Sequence, residues 1–170
     1  MNVFSNSLAA DVLVIGAGPV GLFLANLLGQ AGTRTLLLER RLAETAPSMA
    51  IGVMPPSLRL FESIALAAPL IRAGCAVRSA VVHDQTSALG RLDFTTLPAP
   101  FPFILSIPQG ELMRLLRERL FDYPSVRFME GCEAVGIRQN SSSATVQVRD
   151  VCDGTCHERT AAYVVAPRFP

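Results

Sequence analysis

The chain has 170 residues, half of them apolar and 17% charged, with a formal net charge of +1. This length fits one domain, or one domain with a fragment of a second, and the apolar content excludes a disordered chain. The balanced charge gives no reason to expect nucleic acid or an anionic membrane as a partner.

The first forty residues predict one βαβ unit. Asp11 to Ile15 is a short apolar run suited to a strand that is buried on both faces. Pro19 to Gln30 has helical apolar spacing and ends before Gly32, and Arg34 to Leu38 predicts a second buried strand, parallel to the first. The apolar run from Val12 to Leu28 is not interpreted as a membrane span, because glycines and a proline interrupt it.

The middle of the chain predicts a helix followed by part of a second sheet. The predicted elements are a helix over Ser57 to Ala65 that continues through Ile71, strands over Val77 to His83 and Arg91 to Phe94, and a proline-rich extended crossing over Leu97 to Pro102. We interpret residues 77–107 as a fragment of a substrate-side sheet, inserted in a single domain that covers residues 1–170.

The last third predicts an amphipathic helix and a β-meander. Gly110 to Leu120 has Leu112, Leu115, Leu116 and Phe121 on one expected face. The predicted strands are Val126 to Met129, Ala134 to Arg138, Ala144 to Arg149 and His157 to Val165, the last three joined by polar turns. The fold class is therefore α/β: a Rossmann-like parallel sheet with a β-meander and a fragment of a second sheet.

Lysine and cysteine usage narrow the chemistry and the compartment. All fifteen basic residues are arginine, which excludes Schiff-base lysine chemistry and a Walker-type phosphate lysine. Cysteines 75, 132, 152 and 156 are too widely spaced for a dense disulfide framework, and Met1 to Ala10 has no basic residue of a signal peptide. We expect a reducing, cytoplasmic setting.

A glycine motif lies between the first predicted strand and the first predicted helix. In Gly16-Ala-Gly18-Pro19-Val20-Gly21, the first glycine permits a tight turn, the second allows a pyrophosphate to approach the backbone, and the third allows close packing of helix and strand. The helix N-terminus then offers N–H groups to phosphates. Glu39, at the end of the second strand, is placed to accept hydrogen bonds from ribose hydroxyls. The motif does not by itself distinguish FAD from NAD.

Three segments together resemble the FAD-binding N-terminus of the class A flavoprotein monooxygenases, the group that contains para-hydroxybenzoate hydroxylase and the polyketide aromatic hydroxylases. They are DVLVIGAGPVGLFLANLLGQAG followed by LLLERR, SMAIGVMPPSLRLFESIAL (Ser48 to Leu66), and LSIPQGELMRLLRERL (Leu105 to Leu120). The resemblance implies FAD as cofactor, NAD(P)H as co-substrate, and hydroxylation of a small aromatic or polyketide-like substrate. In that chemistry the flavin reacts with oxygen, so we assign no catalytic acid or base.

The resemblance also implies a role for individual residues. Gly16, Gly18 and Gly21, with Pro19 and Val20 in the same turn, would hold the FAD pyrophosphate; Glu39 would bind the adenosine ribose with Arg40 beside it; Gln109 would contact the ribityl and phosphate region; Val135 would meet the adenine through its backbone; and the Ala50-Ile51-Gly52 loop would lie near the isoalloxazine.

The sequence departs from the family pattern at two places. Met49 stands where many members carry arginine, and Val165 is followed by Ala166-Pro167-Arg168 rather than by a GADG turn whose aspartate contacts the flavin ribose. We therefore expect a truncated FAD-binding domain that binds FAD weakly or needs a complementing chain, and whose exposed apolar surface favours self-association.

Other functions compete with this one. A non-catalytic dinucleotide-binding remnant, or half of a split enzyme, is the alternative. An NAD-dependent dehydrogenase would need a catalytic constellation such as a Tyr-Lys pair, and this sequence contains no lysine. Cys152, Cys156 and His157 lack a fourth zinc ligand at a zinc-finger spacing, and His83 has no partner acid or nucleophile motif, so no metal or catalytic base is predicted.

Overall fold

This computed structural model describes residues 10–42 and 50–166, with Ala50 described by its backbone alone. The chain divides into two compact units. The first unit consists of Met1–Thr45 together with Leu116–Pro170, and the second of Ala46–Leu115. The predicted insert at residues 77–107 falls within the second unit, and its relation to a substrate-side sheet stays a prediction.

The described residues form strands and helices in the following order. They are β1 (Ala10–Ile15), α1 (Pro19–Gln30), β2 (Thr35–Glu39), β3 (Ala50–Val53), α2 (Pro55–Ser63), α3 (Ala67–Ala73), β4 (Cys75–Val77), β5 (Ser79–His83), β6 (Ala88–Asp93), a 3₁₀ turn (Phe94–Thr96), β7 (Ile104–Pro108), α4 (Gln109–Leu120), β8 (Val126–Glu130), β9 (Cys132–Gln139), β10 (Ala144–Asp150) and β11 (Cys156–Val165).

One six-stranded sheet organises the first unit, in the order β8-β2-β1-β11-β10-β9. Strands β8, β2, β1 and β11 are parallel, whereas β9, β10 and β11 form an antiparallel meander. Every residue of β2 is buried, as expected for a parallel strand covered on both faces. The predicted α/β class with a parallel sheet, a meander and smaller additional sheets is confirmed.

The two faces of the parallel strands are covered by different elements. Leu13, Leu36 and Leu38 share a buried cluster with Cys132, Val146 and Val148 of the meander, so β9 and β10 cover one face. Helix α1 packs against β1, β2 and β8, and its glycine at position 21 lies beside Val14, which alternation directs to the opposite face from Leu13. The glycine turn at the start of α1 is therefore held by a core on both sides of the sheet.

A buried asparagine joins α1 to the part of α4 that belongs to the first unit. Asn26 of α1 is fully buried, and its Nδ2 donates to the carbonyl oxygens of Leu22 at 2.8 Å and of Leu116 at 2.9 Å. The second bond ties α1 to the C-terminal part of α4. Because removal of one partner would leave a buried polar group unpaired, this pair fixes the spacing of the two helices.

The second unit contains two small antiparallel sheets and two helices. The sheets are β3-β7-β4 and the hairpin β5-β6. Its core is formed mainly by leucine and isoleucine side chains from α2, α3, β7 and the segment between the helices: Leu58, Ile64, Leu70, Leu105 and Ile107. By contrast, every residue of β6 is exposed, and Val81 and Val82 of β5 are about half exposed.

The helical expectations needed two corrections. The helix predicted over Ser57 to Ala65, with more helix through Ile71, is two helices, and α2 ends at Ser63 because Ala65 adopts a left-handed conformation with φ of 58°. Phe121, expected on the apolar face of α4, is 88% exposed because the helix ends at Leu120. The buried face of α4 instead contains Leu112, Met113, Leu116 and Leu120.

The strand expectations differ where pairing is non-local. The Ala50-Ile51-Gly52 segment, expected as a loop, is part of β3 because it pairs with β7, more than fifty residues later. Strand β7 itself was not predicted. The predicted strand over Val77 to His83 is interrupted at Arg78, since β4 and β5 belong to different sheets.

Candidate functional site

The turn between β1 and α1 requires glycine at two positions for reasons internal to the protein. Gly16 has φ of +97°, which L side chains rarely adopt, and its N–H donates to the carbonyl of Leu38 at 2.7 Å. A Cβ at Gly21 would lie 1.9 Å from the carbonyl oxygen of Gly16. These two glycines therefore let the chain turn sharply and let α1 approach the end of β1.

Gly18 differs from its neighbours because the protein itself does not require a glycine there. Its φ of −71° and ψ of 178° are ordinary for any residue, and no described atom lies within 4 Å of the position that a Cβ would take. The open space beside Gly18 is therefore free for a group from outside the chain to approach the backbone.

The backbone geometry and the charge at the N-terminus of α1 suit the binding of an anion. Gly18 is the N-cap and makes no side-chain capping bond, Pro19 occupies the first turn, and this turn contains no acidic residue. The first helical bond runs from Leu22 N–H to Gly18 carbonyl at 2.9 Å, and the Val20 side chain is 65% exposed. A helix start with this geometry offers N–H groups and a partial positive charge to a phosphate.

Glu39 lies at the end of β2 and is only 4% exposed. Its Oε2 accepts a hydrogen bond from Ala17 N–H at 2.8 Å, and its Oε1 accepts from the N–H and the Nε of Arg41 at 3.0 and 3.1 Å. Burial raises the pKa of Glu39, but the bonds from Arg41 and Ala17 outweigh it, so the pKa lies below 4.5. The carboxylate is thus charged at neutral pH and braces the glycine turn.

These residues line one cavity of about 630 Å³ within the first unit. Its walls come from the ends of β1 and β2, the start of α1 and the start of β9: Ile15, Gly16, Gly18, Pro19, Leu38, Glu39, Arg40, Arg41, Cys132, Glu133 and Ala134. The structure thus brings together five residues predicted as site residues, namely Gly16, Gly18, Pro19, Glu39 and Arg40.

Sequence reasoning missed the other polar residues of the cavity wall. Arg41 directly follows two predicted site residues, so its position in the sequence was a usable signal. Cys132 and Glu133 begin β9, and no local pattern indicates that this strand crosses the end of β2. Burial, with a smaller effect of the Asp150 charge, raises the pKa of the Cys132 thiol, which therefore stays neutral.

The charges in the cavity are arranged so that each carboxylate has its own arginine. Glu39 is paired with Arg41, and Glu133 with Arg149 at 2.5 Å. The Arg149 bond lowers the pKa of Glu133, and Arg40 adds a smaller effect of the same sign. Among the residues that the structure describes, none makes a hydrogen bond or ion pair with Arg40. Its guanidinium is therefore available to an anionic or aromatic ligand group.

The remaining predicted site residues lie elsewhere. Gly21 packs behind the turn rather than in the cavity wall. Val135 is 41% exposed on β9 and directly follows the wall residue Ala134. Gln109 begins α4 in the second unit, and Met49 lies outside the described residues.

The alternative catalytic and metal candidates lie outside this cavity. His83 is exposed at the end of β5 in the second unit. Cys152, Cys156 and His157 are exposed at the turn that joins β10 and β11, where His157 Nε2 lies 3.4 Å from Thr155 Oγ1. Within the described ranges, no helix has the length and apolar character that spanning a bilayer demands.

Comparison with known proteins agrees with this geometry. The sequence model described as FAD binding domain matches residues 9–167. The chain belongs to the FAD binding domain family. FAD is accordingly the cofactor of this family, and the features around Gly18, the helix N-terminus and Glu39 fit its pyrophosphate and adenosine ribose.

Curated relatives of this FAD binding domain chain are bacterial aromatic hydroxylases. The 3-(3-hydroxy-phenyl)propionate/3-hydroxycinnamic acid hydroxylase of Burkholderia cenocepacia (strain HI2424) is 34% identical over 166 residues, covering 95% of this chain and 30% of the relative. Pentachlorophenol 4-monooxygenase of Sphingobium chlorophenolicum is 28% identical, covering 97% and 31%. The chain therefore spans about 30% of the length of these relatives.

Solved structures of a hydroxylase and a monooxygenase share the fold. Anhydrotetracycline hydroxylase OxyS from Streptomyces rimosus superposes with a TM-score of 0.79 at 29% identity, covering 92% of this chain and 31% of OxyS. The p-nitrophenol 4-monooxygenase PnpA from Pseudomonas putida DLL-E4 has a TM-score of 0.87 at 23% identity, covering 94% and 41%, and shows the fold alone.

Proposed function

We propose that this chain is the FAD-binding portion of a monooxygenase that hydroxylates an aromatic or polyketide-like substrate with NAD(P)H and O₂. The observation that carries the proposal is the open backbone at Gly18, which faces a cavity formed by the glycine turn, the start of α1 and Glu39. The names of the hydroxylase relatives support the substrate class.

The residues of the cavity supply binding and orientation, whereas bound flavin supplies the redox and oxygen chemistry. The α1 N-terminus and the backbone at Gly18 hold the pyrophosphate. Glu39 accepts a hydrogen bond from the adenosine ribose, and Arg40, which pairs with none of the described residues, lies against the adenosine end of the cofactor. Val135 meets the adenine through its backbone, and Gln109 contacts the ribityl and phosphate region.

The first test is retention of FAD by the purified chain after excess cofactor is removed. We expect a bound flavin absorption band that is lost in Gly18→Val, because a side chain at this position fills the space that the pyrophosphate needs. Gly90→Val is the matched control: no described atom lies within 4 Å of its Cβ position either, and it belongs to the exposed β6.

A chain that folds but neither retains flavin nor changes the flavin spectrum on titration would refute the proposal. A Gly18→Val variant that retains FAD as well as Gly90→Val would show that the cofactor does not approach the backbone at this turn. Far-UV circular dichroism of both variants separates loss of binding from loss of fold.

The competing function is a dinucleotide-binding remnant without turnover, or one half of a split enzyme. Steady-state NADH and NADPH oxidation by the flavin-loaded chain distinguishes a remnant or a split form from a complete monooxygenase. Oxidation that is stimulated by an aromatic substrate supports the monooxygenase, whereas bound flavin without oxidation supports the remnant or split form.

We also propose that the chain associates with itself or with a complementing polypeptide, in the reducing cytoplasm. The support is the apolar surface of the β5-β6 hairpin, where Val81, Val82, Leu89 and Leu92 are each about half exposed or more. Sedimentation velocity over a range of concentrations tests the association, and a monomer at all concentrations would contradict self-association.

A further inference from the structure

The hydrogen bonds already made by Glu39 limit what its carboxylate can bind. An ionised carboxylate has about four acceptor positions, two on each oxygen. Ala17 N–H occupies one position on Oε2, and the N–H and Nε of Arg41 occupy both positions on Oε1. One acceptor position therefore remains, on Oε2.

We infer that Arg41 is a positioning residue that restricts Glu39 to a single ribose hydroxyl of the bound cofactor. This inference rests on the proposed binding of FAD. A ribose offers two neighbouring hydroxyl groups, and an unrestrained carboxylate can accept from both. With Oε1 held by Arg41, only Oε2 is left to face the ligand, and it has room for one donor.

The structure distinguishes Arg41 from the neighbouring arginine. Arg41 contacts Glu39 through both its backbone and its side chain. Arg40 makes no hydrogen bond or ion pair with the residues that the structure describes. Removal of the Arg41 side chain takes away the Nε bond and leaves the backbone bond in place. It therefore frees one acceptor position on Oε1 without releasing the carboxylate from the glycine turn, because the Ala17 bond is also retained.

The test compares FAD with two analogues that lack either the 2′- or the 3′-hydroxyl of the adenosine ribose. For the unsubstituted chain, we expect one analogue to bind about tenfold more weakly than FAD, and the other to bind as FAD does, because a hydrogen bond to a charged group contributes about this factor. For Arg41→Met, we expect both analogues to bind about tenfold more weakly than FAD itself. Flavin fluorescence titration measures each dissociation constant.

Two control variants separate this effect from loss of charge or fold. Arg138→Met removes a cation from an exposed ion pair with Glu158 on the meander, outside the cavity wall, so the ratio between the two analogues should match that of the unsubstituted chain. Arg34→Met breaks an exposed ion pair with Asp11, outside the cavity wall, and should also leave the ratio unchanged. The ratio is informative because a purely structural role would change all three affinities together.

Three outcomes would overturn the inference, and they are distinguishable. Equal weakening of both analogues in the unsubstituted chain would show that two hydroxyls are already bound. An unchanged ratio in Arg41→Met would show that its side chain does not restrict Glu39. Failure of the unsubstituted chain to bind FAD at all would remove the proposed function, and with it this inference.

Discussion

Gly18 and Gly21 lie three residues apart in the same turn, but they exclude a side chain for different reasons. The protein's own backbone excludes it at Gly21, and the proposed ligand excludes it at Gly18. A Cβ at Gly21 would meet the rigid backbone oxygen of Gly16 at 1.9 Å, whereas the Cβ position at Gly18 is open. Gly21→Ala should therefore lower the free energy of unfolding by about 3 kcal/mol, the upper range for overpacking. Gly18→Ala should lower it by no more than about 1 kcal/mol, the cost of alanine in place of glycine at an N-cap. Urea unfolding of the two variants measures both values, and equal losses would contradict this distinction.

The lowered pKa of Glu39 predicts that the fold becomes less stable in acid. Because its pKa in the folded chain is below 4.5, the ionised form stabilises the fold at neutral pH, and this contribution is lost as the pH falls through the folded value. Between pH 7 and pH 5 the contribution should be constant. Urea unfolding from pH 7 to pH 3 measures it, with Glu39→Gln as the comparison, since this variant cannot titrate. The difference in stability between the two proteins should shrink progressively as the pH falls from about 5 toward 3, because the unfolded chain is protonated before the folded one.

Among the site residues, the sequence predicted those whose role depends on local structure and missed those whose role depends on distant segments. Gly16, Gly18 and Glu39 occupy fixed places in a βαβ unit, so their spacing alone places them around one turn. Cys132 and Glu133 join them only because the meander covers the end of β2, which depends on packing between distant segments. The three bonds on Glu39 are likewise invisible in sequence, although they decide how many donors it accepts.

Among the helices and strands, the break between α2 and α3 predicts how two glycine substitutions change the stability. Ala65 holds a left-handed conformation with φ of 58°, which costs an L residue about 1–2 kcal/mol relative to the right-handed region. Ala65→Gly should therefore raise the free energy of unfolding by about 1 kcal/mol. Ala68→Gly, at an exposed position inside α3, should lower it by about 0.5–1 kcal/mol. Opposite signs in thermal or urea unfolding would confirm the prediction; a loss in both variants would contradict it.

Elements built from local patterns were predicted well, and those that depend on distant partners were not. Helix α1 was predicted with its correct bounds, since its proline, apolar spacing and following Gly32 are all local signals. Strand β3 has only four residues and no alternation of apolar and polar side chains, so nothing in its own sequence indicates that it pairs with β7. Contacts of this kind follow from the tertiary structure.

In the complete fold, β11 connects the meander with the parallel sheet, which the sequence presented as two separate features. Its residues Cys156 to Ala161 pair with β10 of the meander, and its residues from Ala161 onward pair with β1 of the parallel sheet. The meander is therefore continuous with the glycine-turn sheet and covers it, which explains why the start of β9 reaches the cavity beside the glycine turn. Alternation in the sequence indicated the hairpins but gave no information about this second pairing.

The division of the chain into two units makes FAD binding measurable in each unit separately. The glycine turn and Glu39 belong to the first unit, and Gln109, which the family resemblance assigns to the ribityl and phosphate region, belongs to the second. Because a ligand present at a hundred times its dissociation constant stabilises the binding-competent state by about 2.7 kcal/mol, bound FAD should slow amide hydrogen exchange in both units.

Exchange measured by mass spectrometry, with and without FAD, resolves the two contributions. In the unsubstituted chain we expect protection of peptides from residues 10–42 and from residues around 109. Gln109→Ala should retain the first protection and reduce the second, whereas Gly18→Val should lose both, because without a bound pyrophosphate no cofactor is present to protect either unit. Protection confined to residues 10–42 and 116–166 in the unsubstituted chain would show that Gln109 does not contact FAD. The cavity of the first unit would then be the whole of the binding site in this chain.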